Sequence, residues 1–98
     1  MAIRSYRDRG TRDIAANVNS KAARDVLPPN LHDVARRRLA FLAAAASLDD
    51  LRARRGLNLH PLKKDRTGQH AIRINDQYRI CFIWDDGDAD DVQITDYH

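Results

Sequence analysis

Two different spacings of apolar residues divide the chain. Residues 31–46 carry apolar side chains at helical spacing, which predicts one amphipathic helix with a buried stripe. The prolines and asparagine at 28–30 suit the start of that helix. From Leu57 onward the spacing becomes that of strands, and strands are predicted over residues 57–63, 70–75, 78–84 and 89–97.

Shorter signals complete the predicted order of elements. Residues 2–6 are interpreted as a short first strand and residues 11–17 as a short helix. Ser47, followed three positions later by Asp50, resembles a capping box that opens a brief turn. Asp86 and Gly87 form a hairpin signal between the last two strands. The sequence therefore predicts an α+β fold in which helices precede an antiparallel sheet of about four strands.

The length of 98 residues fits a single domain over residues 1–98 with one core. Cys81 is the one cysteine and lies within an apolar run, so it is expected to be a buried small hydrophobe in a reducing compartment. No apolar stretch approaches the roughly 20 residues that span a bilayer. We therefore expect a cytoplasmic protein with no membrane partner.

Charge is segregated along the chain. Residues 1–84 hold all 17 Lys and Arg residues and eight of the Asp residues, a formal charge of +9, while the six Asp residues from Asp85 onward give −6. A basic body attracts polyanions, of which nucleic acid is the commonest for such a domain. A solvated arginine-rich surface without a ligand is the alternative.

A symmetric hairpin about Asp86 and Gly87 predicts the register of the last two strands. Arg79 would then face Ile94, and Cys81 would face Val92. Arg79 and Asp96 would lie on the same sheet face as diagonal neighbours. Tyr97 would lie on the opposite face, unless the strand twists or a bulge shifts the register.

Several short motifs, taken in order, resemble the HigB toxin family. They extend from about residue 27 to residue 98, and they are Leu59-His60-Pro61-Leu62-Lys63, Asp65-Arg66 with Gly68, Ile72-Arg73-Ile74-Asn75-Asp76-Gln77-Tyr78-Arg79-Ile80, and Asp96-Tyr97-His98. HigB proteins belong to the RelE/ParE toxin superfamily. The resemblance implies a RelE-like α+β fold and a ribosome-dependent messenger-RNA endonuclease that inhibits translation.

The resemblance also implies which residues act and which partners are involved. A HigA-type helix-turn-helix antitoxin would neutralise the toxin, and operator DNA would be bound indirectly through that antitoxin. No cofactor and no metal are expected. The implied RNA-cleaving site consists of His60, Lys63, Arg79, Asp96, Tyr97 and His98. Lys64, Arg66 and Arg73 are expected to be further RNA contacts.

The residue types suit metal-free cleavage that uses the ribose 2′-OH. Histidine can serve as base or acid near neutral pH because its unperturbed pKa is about 6.5. Lysine and arginine can hold a phosphate and stabilise the charge that develops in the transition state. Asp96 would orient a histidine or Arg79, and Tyr97 would stack on a base or donate to phosphate. Which of His60 and His98 is the base stays open.

Each of these residues also has a purely structural interpretation. His60 can end an edge strand before Pro61, Lys63 can be a solvated charge, and Asp96 can exist only to pair with Arg79.

Two rival functions remain as well. One is a ParE-like, non-enzymatic toxin that binds DNA gyrase, and the other is a degenerate toxin that acts only with its antitoxin in operator binding. His32 and His70 match no site position and are interpreted as surface or structural residues.

Overall fold

The structure is a computed structural model that describes residues 3–96, apart from the side chain of Lys64. Four α-helices come first and four strands follow, which confirms the predicted α+β fold. The helices are α1 (Arg9–Ala15), α2 (Lys21–Val26), α3 (His32–Ala44) and α4 (Leu48–Arg52). The strands are β1 (His60–Pro61), β2 (Gln69–Arg73), β3 (Tyr78–Asp85) and β4 (Asp88–Asp96). Among the described residues, no helix has both the length and the apolar character needed to cross a membrane.

Side-chain caps start the first two helices. Asp8 Oδ1 accepts from Thr11 N at 2.6 Å, so α1 begins two residues earlier than the helix predicted over 11–17. Ser20 Oγ accepts from Ala23 N at 3.0 Å and starts α2, a helix that the apolar spacing did not predict. A helix of six residues is too short to show a periodic stripe.

The predicted amphipathic helix is α3. It follows a 3-10 turn at Pro29–Leu31 and buries Ala35, Leu39 and Leu42, so the apolar stripe is confirmed. The capping box is confirmed too, because Ser47 N donates to Asp50 Oδ2 at 3.3 Å where α4 begins.

The four strands form one antiparallel sheet in the order β1-β2-β3-β4. The first strand is much shorter than the predicted 57–63. Residues Arg55–Leu57 form a 3-10 turn, and Asn58 has a left-handed backbone with φ of 50°. That conformation interrupts an extended chain, so pairing with β2 begins only at His60.

A bulge in β4 corrects the predicted register. Near the hairpin the prediction holds, since Trp84 pairs with Ala89, but beyond it Arg79 pairs with Thr95 and Tyr78 with Asp96. Asp91 has φ of 54°, and the register shifts between Cys81 and Ile83. Because of the extra residue, each later side chain of β4 lies on the opposite face from the one predicted. The prediction that Arg79 and Asp96 share a sheet face as diagonal neighbours is therefore wrong.

The segment before α1 runs along β4, although it is not a continuous strand. The predicted strand over 2–6 is reduced to two isolated parallel bridges, Ile3 with Ala89 and Tyr6 with Val92. Arg4 forms ion pairs with the β3–β4 hairpin, at 3.2 Å to Asp85. The acidic charge of the hairpin is thus partly neutralised within the chain.

The two faces of the sheet have different surroundings. One face packs against the helices, and Ile72, Ile80, Phe82 and Val92 join the main core there. On the other face Leu62, Ala71 and Cys81 form a small separate cluster, and Cys81 is buried as predicted. We call this second side the open face. It carries the polar residues considered next.

Candidate active site on the open face of the sheet

Strand register assigns the side chains of the open face to rows. One row runs across three strands through Arg73, Arg79 and Thr95. The next row contains His60, Ala71, Cys81 and Gln93. From strand spacing and rise, the backbones of His60 and Arg79 lie about 12 Å apart. Long side chains on this face can therefore approach a group bound between them.

Two arginines face each other within the first row. Arg73 and Arg79 are directly opposite on β2 and β3, an arrangement that is unfavourable for like charges. Arg73 Nη2 is paired with Asp76 Oδ1 on the adjacent turn, and this contact lowers the pKa of the Asp76 carboxyl. Arg79 Nη1 donates to the carbonyls of Asn75 and Tyr78, the latter at 3.1 Å. Both guanidinium groups are thus fixed in place by their surroundings.

Arg66 approaches the same face from the 3-10 turn Lys64–Arg66. Its Nη1 lies 3.4 Å from Gln69 Oε1 and 3.5 Å from Gln93 Oε1. These amide contacts are long and leave the positive charge of Arg66 without neutralisation by either glutamine. Gln69 and Gln93 were not predicted as site residues, because a glutamine in a strand carries no signal of its own until the register is known.

His60 is oriented by the backbone of a residue just before it. Its Nδ1 lies 2.9 Å from the carbonyl oxygen of Asn58. A carbonyl only accepts, so Nδ1 carries the proton in this contact and the neutral ring has its lone pair on Nε2. The left-handed backbone of Asn58 places this carbonyl, which makes Asn58 a positioning residue that sequence reasoning missed.

Asp96 is at the described end of β4, where it pairs with Tyr78 and so does not share the open face with Arg79. Its Oδ2 accepts from Gln77 Nε2 at 3.0 Å, so the carboxylate is linked to the β2–β3 turn. Tyr97 and His98, which the resemblance places in the site, lie outside the described residues. Their roles stay predictions.

The remaining candidates and the two other histidines are placed as follows. Lys63 is exposed in the loop after β1, and Lys64 begins the following 3-10 turn.

His32 contacts the carbonyl of Leu27 at 2.8 Å, and His70 stacks on Phe82 with ring centroids 6.1 Å apart. These contacts support the structural interpretation of both histidines. Among residues 3–96, no group of three His, Cys, Asp or Glu residues is arranged to hold a metal ion.

Comparison with known proteins gives a consistent set of relatives. A family model described as a RelE-like toxin of the type II toxin–antitoxin system HigB matches residues 17–98. Toxin HigB-1 of Vibrio cholerae serotype O1 is 36% identical over 64 residues, which cover 65% of this chain and 67% of that relative. Endoribonuclease HigB of Proteus vulgaris is 38% identical over 61 residues, which cover 62% of this chain and 65% of that relative. The chain thus spans about two thirds of the length of each relative.

Proposed function

Because the chain belongs to the HigB-like family of RelE-like toxins of type II toxin–antitoxin systems, we propose that it is an endoribonuclease that cuts messenger RNA on the ribosome. One relative is itself named an endoribonuclease. The observation that carries the proposal is the position of His60 on the same sheet face as the opposed pair Arg73 and Arg79. A phosphodiester between them would meet a proton acceptor and fixed positive charge.

The proposed reaction needs only groups of the protein and the RNA. His60 accepts the ribose 2′-OH proton at Nε2, and the 2′-oxygen forms a bond to phosphorus. The bond from phosphorus to the 5′-oxygen breaks, and that oxygen takes a proton from an acid, a role we assign to His98 from the family resemblance. The products are a 2′,3′-cyclic phosphate and a 5′-hydroxyl end.

The arginines stabilise the charge that develops during this step. Arg79 is oriented by two carbonyls and so needs little reorganisation when the phosphate binds. A bound polyanion also relieves the repulsion between Arg73 and Arg79. Arg66, Lys63 and Lys64 bind neighbouring phosphates of the strand, and Tyr97 contacts a base. Asp96, which does not share a sheet face with Arg79, orients a histidine.

Mapping of RNA 5′ ends after brief induction without antitoxin tests the proposal. Wild type should produce new 5′-hydroxyl ends inside translated frames, and His60→Ala should abolish them. His32→Gln is the matched control, since His32 lies at the start of α3, and it should leave the cuts unchanged. Growth arrest without new ends would overturn the proposal and favour the gyrase-binding alternative.

Dependence on the ribosome and the type of antitoxin are separate parts of the proposal. Purified toxin should cut a message in a programmed ribosome at least about a hundredfold faster than the same naked RNA, because correct placement of the reacting groups supplies that much rate. Equal rates would contradict the ribosome step and leave the nuclease intact. The antitoxin is proposed to be a HigA-type helix-turn-helix protein that connects the toxin to operator DNA.

A further inference from the structure

Two hollows on the helix side of the sheet share Tyr6. The first, of about 250 Å³, is largely apolar, and the second, of about 360 Å³, is lined by several arginines. Because Tyr6 lines both, the two hollows lie side by side, and we call them together the Tyr6 groove. Its apolar part is lined by Ile3, Tyr6, Ala15, Leu39, Ala40 and Ala43, with Arg36 as the one charged residue among the described residues that line it. Its basic part includes Arg4, Arg7, Arg9 and Arg12 together with Asp8.

The apolar part of the groove is only partly covered by the chain itself. Tyr6, Ala15 and Ala43 are half-buried, and Ala40 is exposed on α3. Small side chains on the helix leave room for the backbone of another element to come close. A segment docked here would bury apolar surface that is now in contact with water.

The basic part of the groove carries positive charge that the chain does not fully neutralise. Arg7 pairs with Asp91 at 3.6 Å, and Arg9 pairs with Asp13 at 3.5 Å. Arg12 is exposed in the last turn of α1, and within the part of the chain that the structure describes it forms no ion pair. The surface therefore complements a segment with one apolar side and acidic residues beside it.

We propose that the Tyr6 groove is the docking surface for an acidic, amphipathic segment of the antitoxin. The proposal depends on membership of a type II toxin family, which implies an antitoxin partner, and it does not depend on the nuclease reaction. The family match begins at residue 17, and most of the groove is lined by earlier residues. This surface can therefore distinguish the toxin's own antitoxin from those of other toxins.

Charge reversal with a matched control tests the proposal. The proteins are the full chain with His60→Ala, for safe expression, and the HigA-type antitoxin of the same operon. Arg12→Glu should weaken binding by about tenfold in titration calorimetry. The affinity of Arg24→Glu for the antitoxin should stay within about twofold of the unchanged chain. Arg24 also lies in the last turn of a short helix, but it contacts Asn19 at 3.1 Å instead of lining the groove.

Two further variants separate loss of binding from loss of folding. Arg12→Gln removes the charge without creating a new one and should weaken binding less than Arg12→Glu. Ala40→Glu places bulk and negative charge on the apolar floor and should weaken binding by about tenfold. Circular dichroism melts of each free variant confirm folding.

Hydrogen exchange of the complex gives an independent result. Antitoxin should protect the amides around Tyr6 and the middle of α3. Protection confined to β2 and β3, or equal binding by all variants, would overturn the proposal. The proposal would also be overturned if, without antitoxin, protection of the groove increased with the concentration of the toxin, because a second copy of the chain would then be the occupant. Because binding is measured with His60→Ala, failure of the nuclease proposal would leave these outcomes unchanged.

Discussion

Arg73 and Arg79 lie directly opposite each other on neighbouring antiparallel strands, with both side chains on the open face. Like charges in this position destabilise a sheet by roughly 0.2 to 1 kcal/mol. The ion pair of Arg73 with Asp76 offsets part of this repulsion, and a bound anion would offset more of it. The pair therefore connects the stability of the sheet with the proposed RNA site.

Arg79→Gln should separate these two effects. The change relieves the repulsion and loses hydrogen bonds to two carbonyls, so the free energy of unfolding should change by only about 1 kcal/mol. Messenger-RNA cleavage should fall by about a hundredfold, because fixed charge at the phosphate is lost. Thermal unfolding and a single-turnover cleavage assay measure both. Full cleavage by Arg79→Gln would remove Arg79 from the site.

The orientation of His60 should depend on the backbone of Asn58. Asn58→Gly keeps the left-handed conformation and should keep the contact between His60 Nδ1 and the carbonyl. Asn58→Val should cost about 1 to 2 kcal/mol and lose that contact, since a β-branched residue resists positive φ. Nitrogen NMR of the His60 ring should show the Nδ1-protonated tautomer in wild type and Asn58→Gly, with a mixture in Asn58→Val. The same mixture in all three would contradict the role of Asn58.

Stability should fall with acid through His70. Burial, and then the charges of Arg52 and His60, lower the pKa of His70 below its ordinary value of 6.5. As pH falls, the unfolded chain therefore takes up the His70 proton at a higher pH than the folded chain does. The contribution of His70 to the free energy of unfolding is complete above pH 6.5 and is lost as pH falls from there through the folded pKa. His70→Leu should flatten the decline in unfolding free energy below pH 6.5 in urea titrations. An unchanged slope would show that other groups cause the decline.

Close packing of α1 against α2 should make Gly10 intolerant of a side chain. A Cβ there would lie 2.5 Å from the carbonyl oxygen of Ala22 and 2.7 Å from Val26 Cγ1. Gly10→Ala should therefore destabilise the fold by about 1 to 3 kcal/mol. Gly56→Ala is the control, because its Cβ would meet only Arg38 Nη1 at 3.6 Å, and it should be neutral or slightly stabilising. Similar melting temperatures for the two variants would contradict this reading of the helix contact.

Periodic features were predictable from the sequence, and local backbone exceptions were not. The stripe on α3 and the strands of the last hairpin follow from spacing that repeats over many residues. The left-handed conformations of Asn58 and Asp91 are each confined to one residue, and each made part of the prediction wrong. Asn58 shortens β1, and Asp91 lies where the register of β4 shifts. Among the candidate residues, Arg79 was assigned by resemblance. Gln93 could be recognised as a residue of the open face only from the register after the bulge.

The contact between residues 4–7 and β4 affects the order in which the described fold can form during synthesis. Arg4 N bonds to the carbonyl of Ala89 at 2.7 Å, and Arg7 N to that of Val92 at 2.9 Å. Residues 4–7 therefore lack these two backbone acceptors until residues 89–92 have been synthesised. Ile3 remains without its place in the core for that time. The described fold is thus completed from two segments that are synthesised far apart in time, and this contact can form only after β4 has left the ribosome.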